Sequence, residues 1–256
     1  MLTQVTNSEP QRRTFTTFVS VVLPCLNERR TVGTCVAKAI ASLRELDVPG
    51  EVVVSDNGST DGSIAIAERA GARVVHCQQK GYGAAIRYGV EASHGEFFIM
   101  ADADDTYDLS DLEPFVSGLH GGADLVMGNR FKGGILPGAM PWKNKYIGNP
   151  VLTGVLNVLY RSGIGDAHCG LRAFHRDAFY RMDPRSPGME FASEIVVRAS
   201  QLRMRIDEVP ICLHPDVAGR TPHLSPWRDG WRHLKYLLVT ARKPVIQVEL
   251  VNLRAA

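Results

Sequence analysis

"EVVVSDNGSTDGSIAIAERAGARVVHC" (51–77) contains one full repeat of an open parallel sheet. Residues 51–56 are a short β-branched run ending on an aspartate, the pattern of a buried strand. Residues 61–71 read as a helix that stops at a glycine, and 73–77 as a further strand. The alternation continues on both sides. Upstream, "VSVVLP" (19–24) is an apolar run closed by a proline, and "TVGTCVAKAIASLREL" (31–46) is amphipathic at helical spacing. Downstream, "GYGAAIRYGVEAS" (81–93) makes a helix and "EFFIMA" (96–101) a fourth strand. This order predicts an α/β fold with a mostly parallel sheet flanked by helices on both faces. In such a sheet, ligands bind beyond the carboxyl ends of the strands.

The polar motifs fall at those ends. Pro24-Cys25-Leu26-Asn27-Glu28 follows the first strand, and Asp56-Asn57-Gly58-Ser59-Thr60-Asp61 the second. Lys80-Gly81-Tyr82-Gly83 follows the third, where backbone N–H groups at a helix start can cradle phosphate, or the glycines can simply make a turn. The fourth strand runs into "ADADDTYD" (101–108), with Asp102, Asp104, Asp105 and Asp108 close together. Like charges repel and resist desolvation, so such a cluster calls for a counter-charge. Asp-x-Asp at a strand end suits Mg²⁺ or Mn²⁺, which take one or two carboxylates and complete their shell with substrate phosphates and water. Asp102 and Asp104 are therefore candidate metal ligands.

Two other readings share these letters. An acidic turn can cap a helix starting near residue 110, through Asp108 or Ser110, although a cap needs one acid and not four. Asp102-Ala103-Asp104-Asp105-Thr106 also resembles the D-x-D-x-T signature of haloacid-dehalogenase-like phosphatases, with Asp102 as nucleophile and Asp104 as general acid. That signature normally closes the first strand of its domain, and here three β/α units precede it.

Composition narrows the classes. With 256 residues and 45% hydrophobic content the chain can bury a real core, and a net charge of +2 gives no nucleic-acid footprint. Five scattered cysteines without a C-x-x-C pair fit reduced thiols in a cytosolic protein. His168 and Cys169 beside Asp166 lack a second pair at ligand spacing, so loop packing is favoured there over zinc. Asp166 and Arg172 read as acceptor-site or loop-ordering residues. Residues 1–18 form a polar tail without the apolar core of a signal peptide, and no run reaches the roughly 18 apolar residues of a membrane span. The expected location is cytoplasmic, or peripheral at the inner face of the membrane.

Beyond residue 110 the alternation loosens. "ADLVMGNRF" (123–131) offers a strand with a glycine-rich exit, 137–150 a long loop, 151–160 an apolar helix, 189–202 an amphipathic helix and 205–213 a strand. No linker composition appears, so 19–256 reads as one domain. Residues 225–244 mix Trp227, Trp231 and Tyr236 with basic side chains. Such a stretch either lies in a bilayer interface or docks its aromatic face on the domain; docking is slightly favoured unless the acceptor is a lipid.

Taken together, "VSVVLPCLNE", "VVVSDNGSTDGS", "KGYGAAIRYG", "IMADADDTYD" and "DLVMGNRF" resemble glycosyltransferase family 2, the nucleotide-sugar-dependent enzymes with a Rossmann-like GT-A fold. The likeness is strong over 19–131 and continues more thinly through "GDAHCGLRAF", "GMEFASE" and "VPICLHPDVAGRTPH". It is greatest to the dolichyl/polyprenyl-phosphate sugar synthase branch. The resemblance implies a nucleotide-sugar half (19–131), an acceptor half (132–224) and a C-terminal basic-aromatic helix and tail (225–256). It implies that Pro24, Leu26, Asn27 and Glu28 line the nucleotide, that Asp56 and Asn57 meet the base, and that Lys80 and Ala103 adjoin the nucleotide sugar. Asn57 stands where the family usually has a second acid. Asp102 faces ribose or metal, Asp104 ligates the metal on the diphosphate, and Thr106 stands where the lipid-phosphate branch has a glutamine. Arg130 serves phosphate groups, and Arg220 and His223 belong to a basic segment that closes over the diphosphate.

The implied reaction moves a hexose-type sugar, with inversion, from a UDP- or GDP-linked donor to a polyprenyl phosphate or a soluble hydroxyl acceptor. Self-association is left open. A hydroxyl acceptor requires a general base, for which Glu190 and Glu194, i,i+4 neighbours on one helix, are candidates; a phosphate acceptor requires none.

Overall fold

The computed structural model describes residues 16–217 and 226–241. In chain order its elements are β1 (Val19–Cys25), α1 (Val32–Glu45), β2 (Gly50–Asp56), α2 (Ser63–Arg69), β3 (Arg73–His76), α3 (Tyr82–Ala92), β4 (Phe97–Met100) and α4 (Glu113–His120). There follow β5 (Leu125–Asn129), α5 (Arg130–Gly133), a π-helical turn (Asn144–Gly148), α6 (Asn149–Tyr160), β6 (Arg172–His175), α7 (Arg176–Met182), α8 (Phe191–Gln201), β7 (Ile206–Pro210) and α9 (Pro226–Thr240).

The β1 run is buried along almost its whole length because it lies inside a sheet covered on both sides. Its period of two divides the core. Val19, Val21 and Leu23, with Phe97 and Ile99 of β4, pack toward α1 and α4. Val22, Phe98 and Met100 point the other way, toward α3, α7 and α8. The seven strands run in the order β3-β2-β1-β4-β6-β5-β7. All are parallel except β6, which pairs antiparallel with both β4 and β5. The predicted fold class, a mostly parallel sheet with helices on both faces, is therefore the observed one.

The second half corrects several sequence expectations. β6 and α7 escaped the pattern reading, since "RAFH" is four residues long and opens on an arginine. The expected loop at 137–150 closes into the π-helical turn and runs straight into α6, whose Pro150 sits in the first turn, where its missing N–H costs nothing. The strand expected at 123–131 ends at Asn129, whose side-chain oxygen accepts from Lys132 N at 2.9 Å and starts α5. The helix expected near 110 begins at Glu113 with Leu112 at its cap. Asp108 instead accepts from Ser110 N at 3.2 Å, so neither residue caps that helix.

β6 matters for position. Because it runs against its neighbours, its first residue, Arg172, pairs with Met100 at the carboxyl end of β4. The loop just before β6 is thereby brought to the same edge of the sheet as the parallel strand ends.

Candidate active site

The ends of β1 and β2 are tied by short hydrogen bonds. Asn57 N donates to Cys25 O at 2.8 Å, Thr60 N to Asn27 Oδ1 at 2.8 Å, and Asn27 N to Ser59 Oγ at 2.9 Å. Glu28 is buried, and its carbonyl accepts from Thr31 Oγ1. The Asp56 carboxylate accepts from Gly58 N and Ser59 N, both at 3.0 Å. Burial pushes this carboxyl up, but bonds from Ser59, Gly58 and the His76 side chain outweigh it and hold Asp56 below the ordinary carboxylate range.

Asn57 shows why an amide serves where an acid was expected. Its Nδ2 donates to Cys77 O at 3.2 Å and Gln79 O at 2.8 Å, while its Oδ1 accepts from Gly81 N at 2.8 Å. A carboxylate cannot make the two donations. Lys80 Nζ donates to Asn57 O at 2.6 Å, which fastens the β2 end to the start of α3. The glycines that follow serve close packing. A Cβ on Gly81 would lie 2.1 Å from Pro187 O and one on Gly83 2.2 Å from Ser186 O. Ala84 N donates to Pro187 O at 3.2 Å, so it and Gly81 N serve this packing.

The four aspartates after β4 have different partners. Lys38 Nζ, reaching across from α1, lies 2.9 Å from Asp105 Oδ1 and 3.6 Å from Asp108 Oδ1. Asp105 takes a left-handed φ of 60°, which turns it away from its neighbours in sequence. Asp104 is buried, and its Oδ1 accepts from Thr106 N at 3.1 Å and Thr106 Oγ1 at 2.7 Å. Asp102 lies against the loop before β6: a Cβ on Gly170 would come within 2.4 Å of Asp102 Oδ2. Gly170 N donates to the Tyr107 hydroxyl at 2.9 Å. Burial, and then the negative Asp102, push the Tyr82 hydroxyl well above its usual range. Lys38 carried no sequence signal as a partner, because it is a lone lysine on a helix 67 residues from Asp105.

The loop before β6 is held by buried charge. Arg130 donates through Nε and Nη2 to the two Asp166 oxygens, each at 2.7 Å, and its backbone N donates to Asp166 Oδ2 at 3.1 Å. The guanidinium that the resemblance assigned to phosphates is thus bidentate on Asp166 and buried. Glu208 Oε1 accepts from Asn129 Nδ2, Gly165 N and Asp166 N at 2.8–3.1 Å. Arg172, fully buried, donates to the carbonyls of Cys169, Ala192 and Ala167. His168 Nε2 and His233 Nδ1 both meet Ser193 Oγ, at 3.2 and 2.8 Å. Burial, then the adjacent His233, hold the His168 imidazole well below its usual range, so it is neutral at neutral pH. All five cysteines are free thiols, and burial pushes Cys25 up to about 11 and Cys169 up to about 12.

The two candidate bases differ. Glu194 is buried, and its Oε2 accepts from Ser186 N at 2.7 Å, which makes it a support for the 186–188 segment. Glu190 stands at the N-cap position of α8 without a side-chain capping bond, and its buried Oε2 has no hydrogen-bond partner among the described residues. Arg220 and His223 lie outside the described residues. In α9, Leu237 and His233 are buried and Tyr236 is partly buried, whereas Trp231 faces outward, against the expectation that the aromatic face docks as a whole. The side chain of Trp227 lies outside the described residues.

Asp102 and Asp104, the latter oriented by Thr106, are hard carboxylate oxygens of the type that suits a divalent cation. Among the described residues no group of three or more His, Cys, Asp or Glu side chains converges, so water and substrate oxygens would complete the shell.

Comparison with known proteins follows the same lines. The family model for glycosyl transferase family 2 matches residues 20–182. The low-salt glycan biosynthesis hexosyltransferase Agl6 of Haloferax volcanii is 44% identical over 224 residues, 87% of this chain and 54% of that protein. The chain thus spans about half the length of this relative. The dolichyl-phosphate hexose transferase of the same organism is 30% identical, covering 83% of this chain and 89% of its own. Among solved structures, glucosyl-3-phosphoglycerate synthase from Mycobacterium tuberculosis, in complex with Mn²⁺, UDP and phosphoglyceric acid, superposes with a TM-score of 0.71 at 22% identity, over 90% of this chain and 80% of that one. That likeness establishes a shared GT-A fold. Neither the family match nor the fold supports the phosphatase reading.

Proposed function

The chain belongs to glycosyl transferase family 2 and is a glycosyltransferase; from that premise we propose that it uses a divalent metal to transfer a hexose, with inversion, from a UDP- or GDP-linked donor to a polyprenyl phosphate. The observation that carries this reading is the division of the aspartate cluster. Lys38 holds Asp105 and Asp108, while Asp102 lies against the loop that enters β6 and Asp104 is bonded to Thr106.

In this reading Asp102 and Asp104 hold Mg²⁺ or Mn²⁺, as the relative in the solved complexes is seen with Mn²⁺ or Mg²⁺ and UDP. When bound, the ion supplies charge stabilisation for the departing diphosphate oxygens. The ionised Asp56, at the floor between β1 and β2, accepts from an N–H of the base. Pro24, Leu26, Asn27 and Glu28 form the wall beside it, and Lys80 and Ala103 border the sugar nucleotide. Arg220 and His223, by the family resemblance, cover the diphosphate from the other side. Arg130 positions the loop carrying Gly170 through Asp166, and does so from within the fold.

The acceptor class rests on the dolichyl-phosphate hexose transferase relative. A phosphate acceptor is already an anion and needs no general base. Glu190, with its buried unpartnered oxygen, then accepts from a hydroxyl of the transferred sugar and orients it toward the acceptor. Residues 19–131 serve the donor, 132–224 the acceptor, and 225–244 meet the inner membrane surface where such a lipid resides. No helix among the described residues is long and apolar enough to cross a membrane.

The test is transfer of labelled hexose from UDP- and GDP-sugars to a polyprenyl phosphate in the presence of Mn²⁺, with the product anomer read by NMR. An inverted glycosyl phosphate is expected. Hydrolysis of small phosphate esters without nucleotide preference, or a retained anomer, contradicts the proposal.

A further inference from the structure

α6 is apolar on both of its faces. Thr153 and Leu156 face the core, yet Val151, Val158 and Leu159 on the other side are exposed, Val158 to 81%. No charged side chain occurs anywhere from Asn149 to Tyr160. A surface helix of a water-soluble domain normally places charges on its outer face; one that is apolar all round belongs in a core or against lipid. The π-helical turn before it and Trp142 just ahead of that turn continue the pattern, with Trp142 at 64% and Tyr146 at 60% exposure, their rings 6.0 Å apart, and Lys145 Nζ 5.5 Å above the tyrosine ring.

The charge distribution identifies what covers this face. No aspartate or glutamate occurs between Asp124 and Asp166, whereas Lys143, Lys145 and Arg161 bracket the apolar stretch. α9 lies alongside α6, with Tyr160 Oη donating to Leu237 O at 2.6 Å, and it exposes Trp231, Leu238 and Val239 beside Arg232 and Lys235. The chain carries no acid from Gly230 to Val248. Exposed tryptophan and tyrosine flanked by lysine and arginine, with aliphatic side chains between and no acid, is the composition that anionic lipid headgroups attract. A face for a second copy of the chain would have no need to exclude carboxylates.

We propose that the π-helical turn, α6 and α9 form one bilayer-binding face for anionic phospholipid, with 142–159 as its larger part. The face adjoins the candidate site, since Thr153 Oγ1 of α6 accepts from Ala167 N in the loop that reaches Asp102. A bilayer here presents the lipid-phosphate acceptor proposed above and so rests on that reading; vesicle binding is measured without turnover, so the two fail separately.

The experiment is cosedimentation of the full chain with vesicles of phosphatidylcholine alone and of phosphatidylcholine mixed with phosphatidylglycerol. Three variants accompany it: Val158→Asp, Lys143→Glu/Lys145→Glu and, as a control on the far side of the sheet, Arg69→Glu. The wild type is expected to bind the mixed vesicles, weakly bind the neutral ones, and release as salt rises. Val158→Asp and the double lysine variant should each weaken binding by about tenfold or more, with thermal unfolding and Mn²⁺-dependent nucleotide binding unchanged. The control should bind as the wild type does. Binding of the wild type to neither vesicle overturns the proposal. So does unchanged vesicle binding by a folded Val158→Asp, or a dimer in light scattering that Val158→Asp dissociates while lipid binding persists.

Discussion

The parallel strand ends and the antiparallel insert meet at one edge of the sheet, but they are held together differently. At the parallel ends, carboxylates close turns with residues two or three positions on: Asp56 with Gly58 and Ser59, Asp61 with Ser63, Asp104 with Thr106. In the insert the partners are distant in sequence, and the first and last of the following pairs are buried. Asp166 meets Arg130, Glu208 meets Gly165, and Ser193 meets His233. Local turns of this kind leave the fold tolerant of change at the parallel ends. The insert depends on polar groups that are costly when left alone.

That contrast can be broken most strongly at Asp166. Asp166→Ala leaves the Arg130 guanidinium buried without its carboxylate, and a loss of about 3–5 kcal/mol is expected from urea unfolding. A cost near that of a surface ion pair would show that the loop before β6 relaxes freely and does not depend on this pair.

Asn57→Asp comes next. It replaces two amide donations to Cys77 O and Gln79 O with oxygens facing oxygens, and about 1–3 kcal/mol of destabilisation is expected. A neutral result would mean that the family's usual acid is tolerated there.

Lys38→Met should cost about 1 kcal/mol or less in unfolding, because the lysine is partly exposed. Should it cost as much as Asp166→Ala, the outer aspartate pair would belong with the buried class and not the local one.

The smallest effect concerns pH. The native state favours the charged form of Asp56, so its contribution is complete above the ordinary carboxylate pKa and is lost as pH falls through the lower native one. The difference in urea midpoint between wild type and Asp56→Asn should therefore be full at neutral pH and shrink on acidification.

The same contrast explains what could be read from residues alone. β1 to β4 and their helices are legible because period two and period 3.6 are written in consecutive side chains, and the Asp-x-Asp motif lies where a strand visibly ends. β6 is not legible: four residues carry no period, and its buried Arg172, read as an acceptor-site or loop-ordering residue, is seen to order the loop only once three carbonyls are found around it. Lys38 was equally hidden, since nothing local links a helix lysine to a distant acidic turn. Arg130 shows the limit of a motif, which marks the residue but says nothing of its contact with Asp166. The membrane-facing character of α6 was present as an absence of acids, a signal that only became informative once its exposed side was known.

The central claim is that Asp102 and Asp104 hold the metal that holds the nucleotide diphosphate, while Asp105 does not. Titration calorimetry of UDP and GDP, with and without Mn²⁺, on wild type, Asp104→Ala and Asp105→Ala tests it most directly. Nucleotide binding that requires Mn²⁺, disappears in Asp104→Ala and survives in Asp105→Ala is predicted. Binding indifferent to Mn²⁺, or lost equally in both variants, contradicts it.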